Sequence, residues 1–208
     1  MRNFGRNLTW IAAILGAVGF LLYLFVVDTW VVPEDEPLIM TSIRPTLFAG
    51  DRLLIMRRGT PRYGQLARCP APGDPGKWVI GRVFGVEGDN VQIKRELVTV
   101  SGNAVSPRHG CGTVDIVHPA TGQTISLSCG VEDNGAWTYG ALRSVEFPEG
   151  DRTAYVEPGH LYLVSDNRHL HWDSRDFGSI EAEGCQHVIF RLWGDTFTDT
   201  SRRSTILW

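Results

Sequence analysis

The strongest pattern in the chain is one uninterrupted apolar run, Leu8 to Val27, twenty residues without a charge. At helical rise it covers about 30 Å, the hydrocarbon thickness of a bilayer, so it predicts one membrane-spanning helix. Beyond residue 28 the period changes. Short runs at Arg52–Met56, Trp78–Phe84, Val91–Ile93, Val98–Val100, His160–Val164 and His187–Leu192 are bounded by Gly, Pro, Asp and Asn, and read as strands. No later stretch keeps a long 3.6-residue period, so helices there should be few and short. Between about 101 and 150 the composition turns to Gly, Ser, Thr and His. That segment predicts a small β subdomain inserted into a mostly β core formed by 28–100 and 151–208.

The flanks of the apolar run orient it. Arg2 and Arg6 precede it, and Asp28, Glu34, Asp35 and Glu36 follow. The positive-inside rule then puts residues 1–7 in the cytoplasm and everything after the anchor (8–27) outside. Trp10 and Trp30 fall near the two interfaces. The run is longer than the apolar part of a cleavable signal, and no small-x-small site follows it, so it reads as a retained anchor.

Composition adds little but excludes something. At 43% hydrophobic and net charge −3, the chain has an ordinary globular balance and no basic face to attract nucleic acid. Four cysteines fit an oxidising compartment. Cys111 and Cys129 flank two strand-like runs, Thr113–Val117 and Gln123–Leu127, joined by a Pro-Ala-Thr-Gly turn. A hairpin there sets the two nearly opposite each other, at a spacing a disulfide spans. Cys69 and Cys185 read as separate buried thiols, with a second bridge as the alternative.

Three ordered motifs carry chemistry. Met40-Thr41-Ser42-Ile43-Arg44-Pro45-Thr46-Leu47 with Gly50-Asp51 presents a serine before a proline-fixed turn. Trp78-Val79-Ile80-Gly81-Arg82-Val83-Phe84-Gly85 with Gly88-Asp89 follows, and then Ser165-Asp166-Asn167-Arg168 running to Asp173-Ser174-Arg175 and Gly178. In order and spacing they resemble the conserved boxes of type I signal peptidases, membrane-anchored serine endopeptidases. The resemblance spans nearly the whole chain. It implies a signal-peptidase-type catalytic β fold on the outer face of a bacterial inner (plasma) membrane, cleaving leader peptides of exported pre-proteins after small residues. No cofactor or metal is implied, and the partners are leader peptides and membrane lipid, with any accessory subunit unspecified.

The chain departs from that pattern at the base. The family's lysine, which takes the proton of the serine hydroxyl as an uncharged amine, falls at Gly81. Arg82 cannot replace it, because guanidinium stays protonated. The only two lysines, Lys77 and Lys94, read as solvated surface residues. His171 stands where the family has a serine hydrogen-bonded to the lysine. Its imidazole suits a general base near neutral pH, and Asp173 can orient it, giving Ser42–His171–Asp173 as a triad by role. The bland alternative is a histidine filling space beside a dead site. His169 with His171 has metal-like His-x-His spacing, but no third ligand stands nearby.

The resemblance also places a second oxyanion donor at Met40, which donates nothing, so that Thr41 would have to turn inward. Leu38, Met40, Ile43, Ile80 and Arg82 are the expected substrate contacts. The peptide would lie extended alongside Leu38–Thr41 and Ile80–Phe84. Asp166, Arg168 and Arg175 are expected to shape the site through salt bridges. The rival to an enzyme is a catalytically inactive relative that holds exported peptides or assists assembly of a surface structure.

Overall fold

A computed structural model describes residues 2–144 and 150–207, with side chains described from Trp10 onward. The chain opens with α1 (Arg2–Phe25), β1 (Val27–Val31), α2 (Pro37–Ser42) and β2 (Arg52–Met56). β3 (Leu66–Ala71), β4 (Asp74–Gly85), β5 (Asn90–Lys94), β6 (Leu97–Val100) and β7 (Asn103–Ala104) follow. Next come β8 (Ser106–Val117), β9 (Thr124–Asp133), β10 (Thr138–Arg143), β11 (Arg152–Tyr155) and β12 (His160–Val164). The chain closes with α3 (Ser174–Phe177), β13 (Ile180–Glu181), β14 (Gln186–Trp193), a 3₁₀ turn at Thr200–Arg202 and β15 (Thr205–Ile206).

The protein is mostly β, as the pattern implies, and all six runs read as strands lie in strands. The main sheet has the order β1-β2-β14-β3-β4-β12-β13, with β15 added on β14. Its apolar faces bury Leu53, Ile55, Leu66, Ile80 and Val188 on one side, and Ala67, Val79, Val83, Leu161 and Leu163 on the other. That two-sided burial explains why β4 reads as a near-continuous apolar run rather than an alternating one.

Two smaller sheets complete the fold, one of order β11-β5-β6-β7 and one of order β10-β9-β8. The expected insert boundary at 101 falls in the turn of the β6–β7 hairpin, where Val100 pairs with Asn103. Residues 106–143 alone make the separate three-stranded sheet, around Ile116, Leu127, Cys129 and Leu142. Five residues near the end of the expected insert, 145–149, lie outside the described residues.

Two expectations change. The helix ends at Phe25, and Val27, the last residue of the expected anchor, already pairs with Met56 in β1–β2. Two β-branched residues, Val26 and Val27, with Thr29, Trp30 and Val31 beyond Asp28, favour the strand there. Among the described residues no helix is long and apolar enough to cross a membrane. From Trp10 on, however, α1 leaves large apolar side chains such as Ile14, Leu15 and Phe20 more than half exposed. The second change concerns the cysteines. Cys111–Cys129 forms as the hairpin spacing predicts, but Cys69 and Cys185 are also joined, 116 residues apart in sequence. Antiparallel pairing of β3 with β14, at Arg68↔Gln186 and Ala67↔His187, brings the two together, a non-local contact that sequence spacing does not reveal.

Candidate active site

Ser42 is the last residue of α2, a helix of six residues that starts with Pro37 at its first turn. Proline at N1 loses no hydrogen bond and has the right φ for a helix. The Thr41 hydroxyl donates to the carbonyls of Pro37 (2.9 Å) and Leu38 (3.2 Å), so it supports the helix instead of turning toward an oxyanion. Ser42 is 1% exposed, and its Oγ donates to the Ile39 carbonyl at 3.2 Å. A helical 38–41 does not present the extended row of alternating N–H and C=O groups of a strand edge, so a peptide cannot pair along it in this conformation.

The other expected contacts divide. Leu38 is about half exposed and Met40 partly so, whereas Ile43, Ile80 and Arg82 are buried, the first two in the core. Arg82 points inward. It donates to Asp166 through Nε (3.1 Å) and Nη2 (2.9 Å) and to the Gly64 carbonyl through Nη1 (3.0 Å). Its guanidinium lies 3.9 Å from the Tyr139 ring centroid. The Arg82 side chain is therefore buried and committed to Asp166 and the Gly64 carbonyl. From Arg82 to Gly85, β4 is also paired with β12, at Val164↔Arg82, Leu163↔Val83 and Tyr162↔Gly85.

Position 81 is closed as well as empty of an amine. A Cβ there would stand 3.0 Å from Leu163 Cβ and 3.4 Å from the Val164 backbone nitrogen and oxygen. Lys77 is 58% exposed, with its Nζ 3.8 Å from Glu36, and Lys94 is exposed at the end of β5. Neither stands in for the missing base.

The loop between β12 and α3 carries the remaining residues. Asn167 ties it to the serine segment, its backbone N–H donating to the Ser42 carbonyl at 2.9 Å and its Nδ2 to the Thr41 carbonyl at 3.0 Å. Asp166 also accepts from the Thr46 hydroxyl at 2.5 Å. Arg175 clamps the far end, donating to Asp173 through Nε (3.0 Å) and Nη2 (2.7 Å) and to the Arg168 carbonyl through Nη1 (2.7 Å).

Asp176, not Asp173, is the nearer carboxylate to His171. His171 Nδ1 lies 2.8 Å from Asp176 Oδ2 and 3.9 Å from Asp173 Oδ1. The reason is local. Asp173 is the N-cap of α3 in a capping box with Asp176, and it accepts from the backbone N–H groups of Ser165 (2.6 Å) and Arg175 (2.9 Å) in addition to the Arg175 guanidinium. Burial would raise its carboxyl, but the Arg175 charge and hydrogen bonds outweigh that and hold it at about 2. His171, Asp173 and Asp176 bring one ligand atom each within 4.8 Å of one another. The cap and the Arg175 pair account for that grouping. The two histidines of His169-Leu170-His171 take different acids, His169 Nδ1 lying 3.7 Å from Glu96 Oε1.

Asp176 was legible in principle, since Asp173-x-x-Asp176 is a capping-box spacing that places both carboxylates at one helix start. Glu96, Glu132 and Tyr139 were not. They reach the loop from other sheets, with no local signal in their own segments.

Comparison with known proteins places this geometry. Residues 7–193 match the family described as "Signal peptidase, peptidase S26". Signal peptidase I of Bacillus caldolyticus is 27% identical over 193 residues, covering 91% of each chain. Signal peptidase IB of Staphylococcus aureus is 27% identical over 192 residues, covering 89% of each. Signal peptidase I V of Bacillus subtilis (strain 168) is 27% identical over 151 residues, covering 71% of this chain and 78% of its own.

Proposed function

Because the chain belongs to the signal peptidase family, peptidase S26, and is a signal peptidase I-type serine endopeptidase, we propose that it removes leader peptides from exported pre-proteins, after small residues, with Ser42 as nucleophile and His171 as general base. The observation carrying this reading is the 2.8 Å contact of His171 Nδ1 with the Asp176 carboxylate, on the same loop that holds the Ser42 carbonyl through Asn167. A carboxylate at Nδ1 favours the tautomer protonated there and leaves Nε2 as the basic nitrogen. Ser42 would lose its proton to Nε2 as its Oγ adds to the scissile carbonyl. The same proton would then pass to the leaving amine.

In this reading the enzyme is held at the plasma membrane through the apolar part of α1, which ends at Phe25, N-terminus inside and catalytic β domain outside. The 24 residues of α1 amount to about 36 Å of helix, and its exposed apolar side chains need a nonaqueous neighbour. Two disulfides favour the oxidising side of that membrane.

Two observations favour the rival, an inactive relative that binds exported peptides. Ser42 is buried and bonded to Ile39, and the space beside Gly81 is tight. Cleavage of a leader peptide by detergent-solubilised protein between pH 5 and 9, beside Ser42→Ala and His171→Ala, separates the two. Cleavage by the unmodified protein that is lost in both variants supports the enzyme. No cleavage at any pH, with retained peptide binding, supports the rival.

A further inference from the structure

We infer that the separate sheet β8–β10 is a positioning element for the loop that carries His171, and that Glu132 is the residue through which it acts. The inference rests on that loop being part of the catalytic site. Glu132 sits at 1% exposure on β9. Its Oε2 accepts from Arg168 Nη2 at 2.5 Å and from the Tyr139 hydroxyl at 2.9 Å, and its Oε1 accepts from Arg143. Arg168 belongs to the loop, is fully buried, and lies over the Phe84 ring with 5.0 Å to the centroid. Among the described residues, its Nε and Nη1 have no hydrogen-bond partner. Glu132 is thus the carboxylate that makes this guanidinium tolerable in the interior. Burial alone would raise the Glu132 carboxyl, but Arg168 and Arg143 hold it below the usual range.

The backbone makes the same connection. Leu142 of β10 forms an isolated parallel bridge with Asn167, its N–H donating to the Asp166 carbonyl (2.8 Å) and its carbonyl accepting from Arg168 N–H (2.7 Å). Asn167 then donates to Ser42. A continuous path therefore runs from β9 and β10 through Arg168 and Asn167 to the nucleophile's own carbonyl. Tyr139 adds a second link, lying between Glu132 and the Arg82 guanidinium that grips Asp166. A sheet whose only task were to cap the fold would not need to supply the counter-charge of a loop arginine.

Glu132→Gln tests this by amide hydrogen exchange and by kinetics, with Glu132→Asp as the conservative rescue and Tyr139→Phe as a milder variant that keeps the carboxylate. The expected result is exchange at Asn167 and Arg168 about tenfold faster or more, with amides of the β3–β4 ladder unchanged and partial recovery in Glu132→Asp. Where the unmodified protein cleaves peptide, kcat falls about tenfold with KM within about twofold. Loop amides exchanging at the unmodified rate overturn the inference, as does acceleration shared equally by β3–β4, or an unchanged kcat beside a loosened loop. If the unmodified protein shows no cleavage, the functional reading fails and the exchange comparison alone decides this one.

Discussion

His171 bonds Asp176 at 2.8 Å while Asp173, two residues away in sequence, stays at 3.9 Å and serves Arg175 instead. The two aspartates of one capping box thus differ in their side-chain partners: Asp176 Oδ2 meets the imidazole while also accepting the Asp173 N–H, and Asp173 meets the Arg175 guanidinium. Asp176→Asn should lower kcat by about 10² and shift the base limb of the pH–rate profile, while melting close to the unmodified protein. Asp173→Asn should instead leave the Arg175 guanidinium without its carboxylate and cost about 3 to 5 kcal/mol. Steady-state kinetics beside thermal melts check the pair; equal losses of stability in both would remove the division of labour.

Restoring the family lysine should not restore a serine–lysine dyad. Gly81→Lys must place its Cβ 3.0 Å from Leu163 Cβ and beside the Val164 backbone. Overpacking of this kind costs about 1 to 3 kcal/mol. The variant should melt several degrees lower and cleave no faster; a gain in activity would show that the base belongs at position 81 after all.

Acid should destabilise the fold in two steps. His187 lies beside Trp137, Ile189 and Leu207 at a cavity of about 280 Å³, and burial lowers its pKa to about 4. The native state therefore favours the neutral ring. Stability falls as pH drops below the unfolded value of about 6.5 and levels off near 4. Asp173, held at about 2, contributes stability that is present above the unfolded value near 4 and is lost as pH falls toward 2, about 2 to 3 kcal/mol in all. In melting curves taken from pH 7.5 to about 2, His187→Gln should lack the first slope and keep the second.

The two disulfides should differ in worth. Loop-closure entropy gives about 5 kcal/mol for the 116-residue separation of Cys69 and Cys185, and about 3 kcal/mol for the 18 residues between Cys111 and Cys129. Double serine replacement of each pair, compared by denaturant titration, should follow that order; a larger loss at Cys111–Cys129 would contradict it.

Local pattern carried most of the fold. Strands β2 and β12 begin and end where turn residues bracket them, and the Cys111–Cys129 hairpin follows from its spacing. What stayed hidden was non-local or conformationally unusual. The Cys69–Cys185 bond depends on pairing between distant strands. The β5–β6 turn uses Arg95 and Glu96 at φ 48° and 66°, where Gly or Asn is the readable signal. Glu96 is nonetheless 1% exposed, and its Oε2 accepts from Ser144 N–H at 3.0 Å, a contact that only the folded chain creates. At the site, Ser42 and Asp166 stood out only through the resemblance of their motifs, while the partners of His171 and Arg168 come from helix capping and from a different sheet.

The clasp between Cys69 and Cys185 encloses the whole of β4 through β13. The exposed tip around Thr121-Gly122 lies inside that span, a typical place for a stray protease to cut. Severed there, between Cys111 and Cys129 as well, the chain would keep its serine-bearing and histidine-bearing halves tethered by both bridges. Damage at the rim is thereby kept from becoming dissociation.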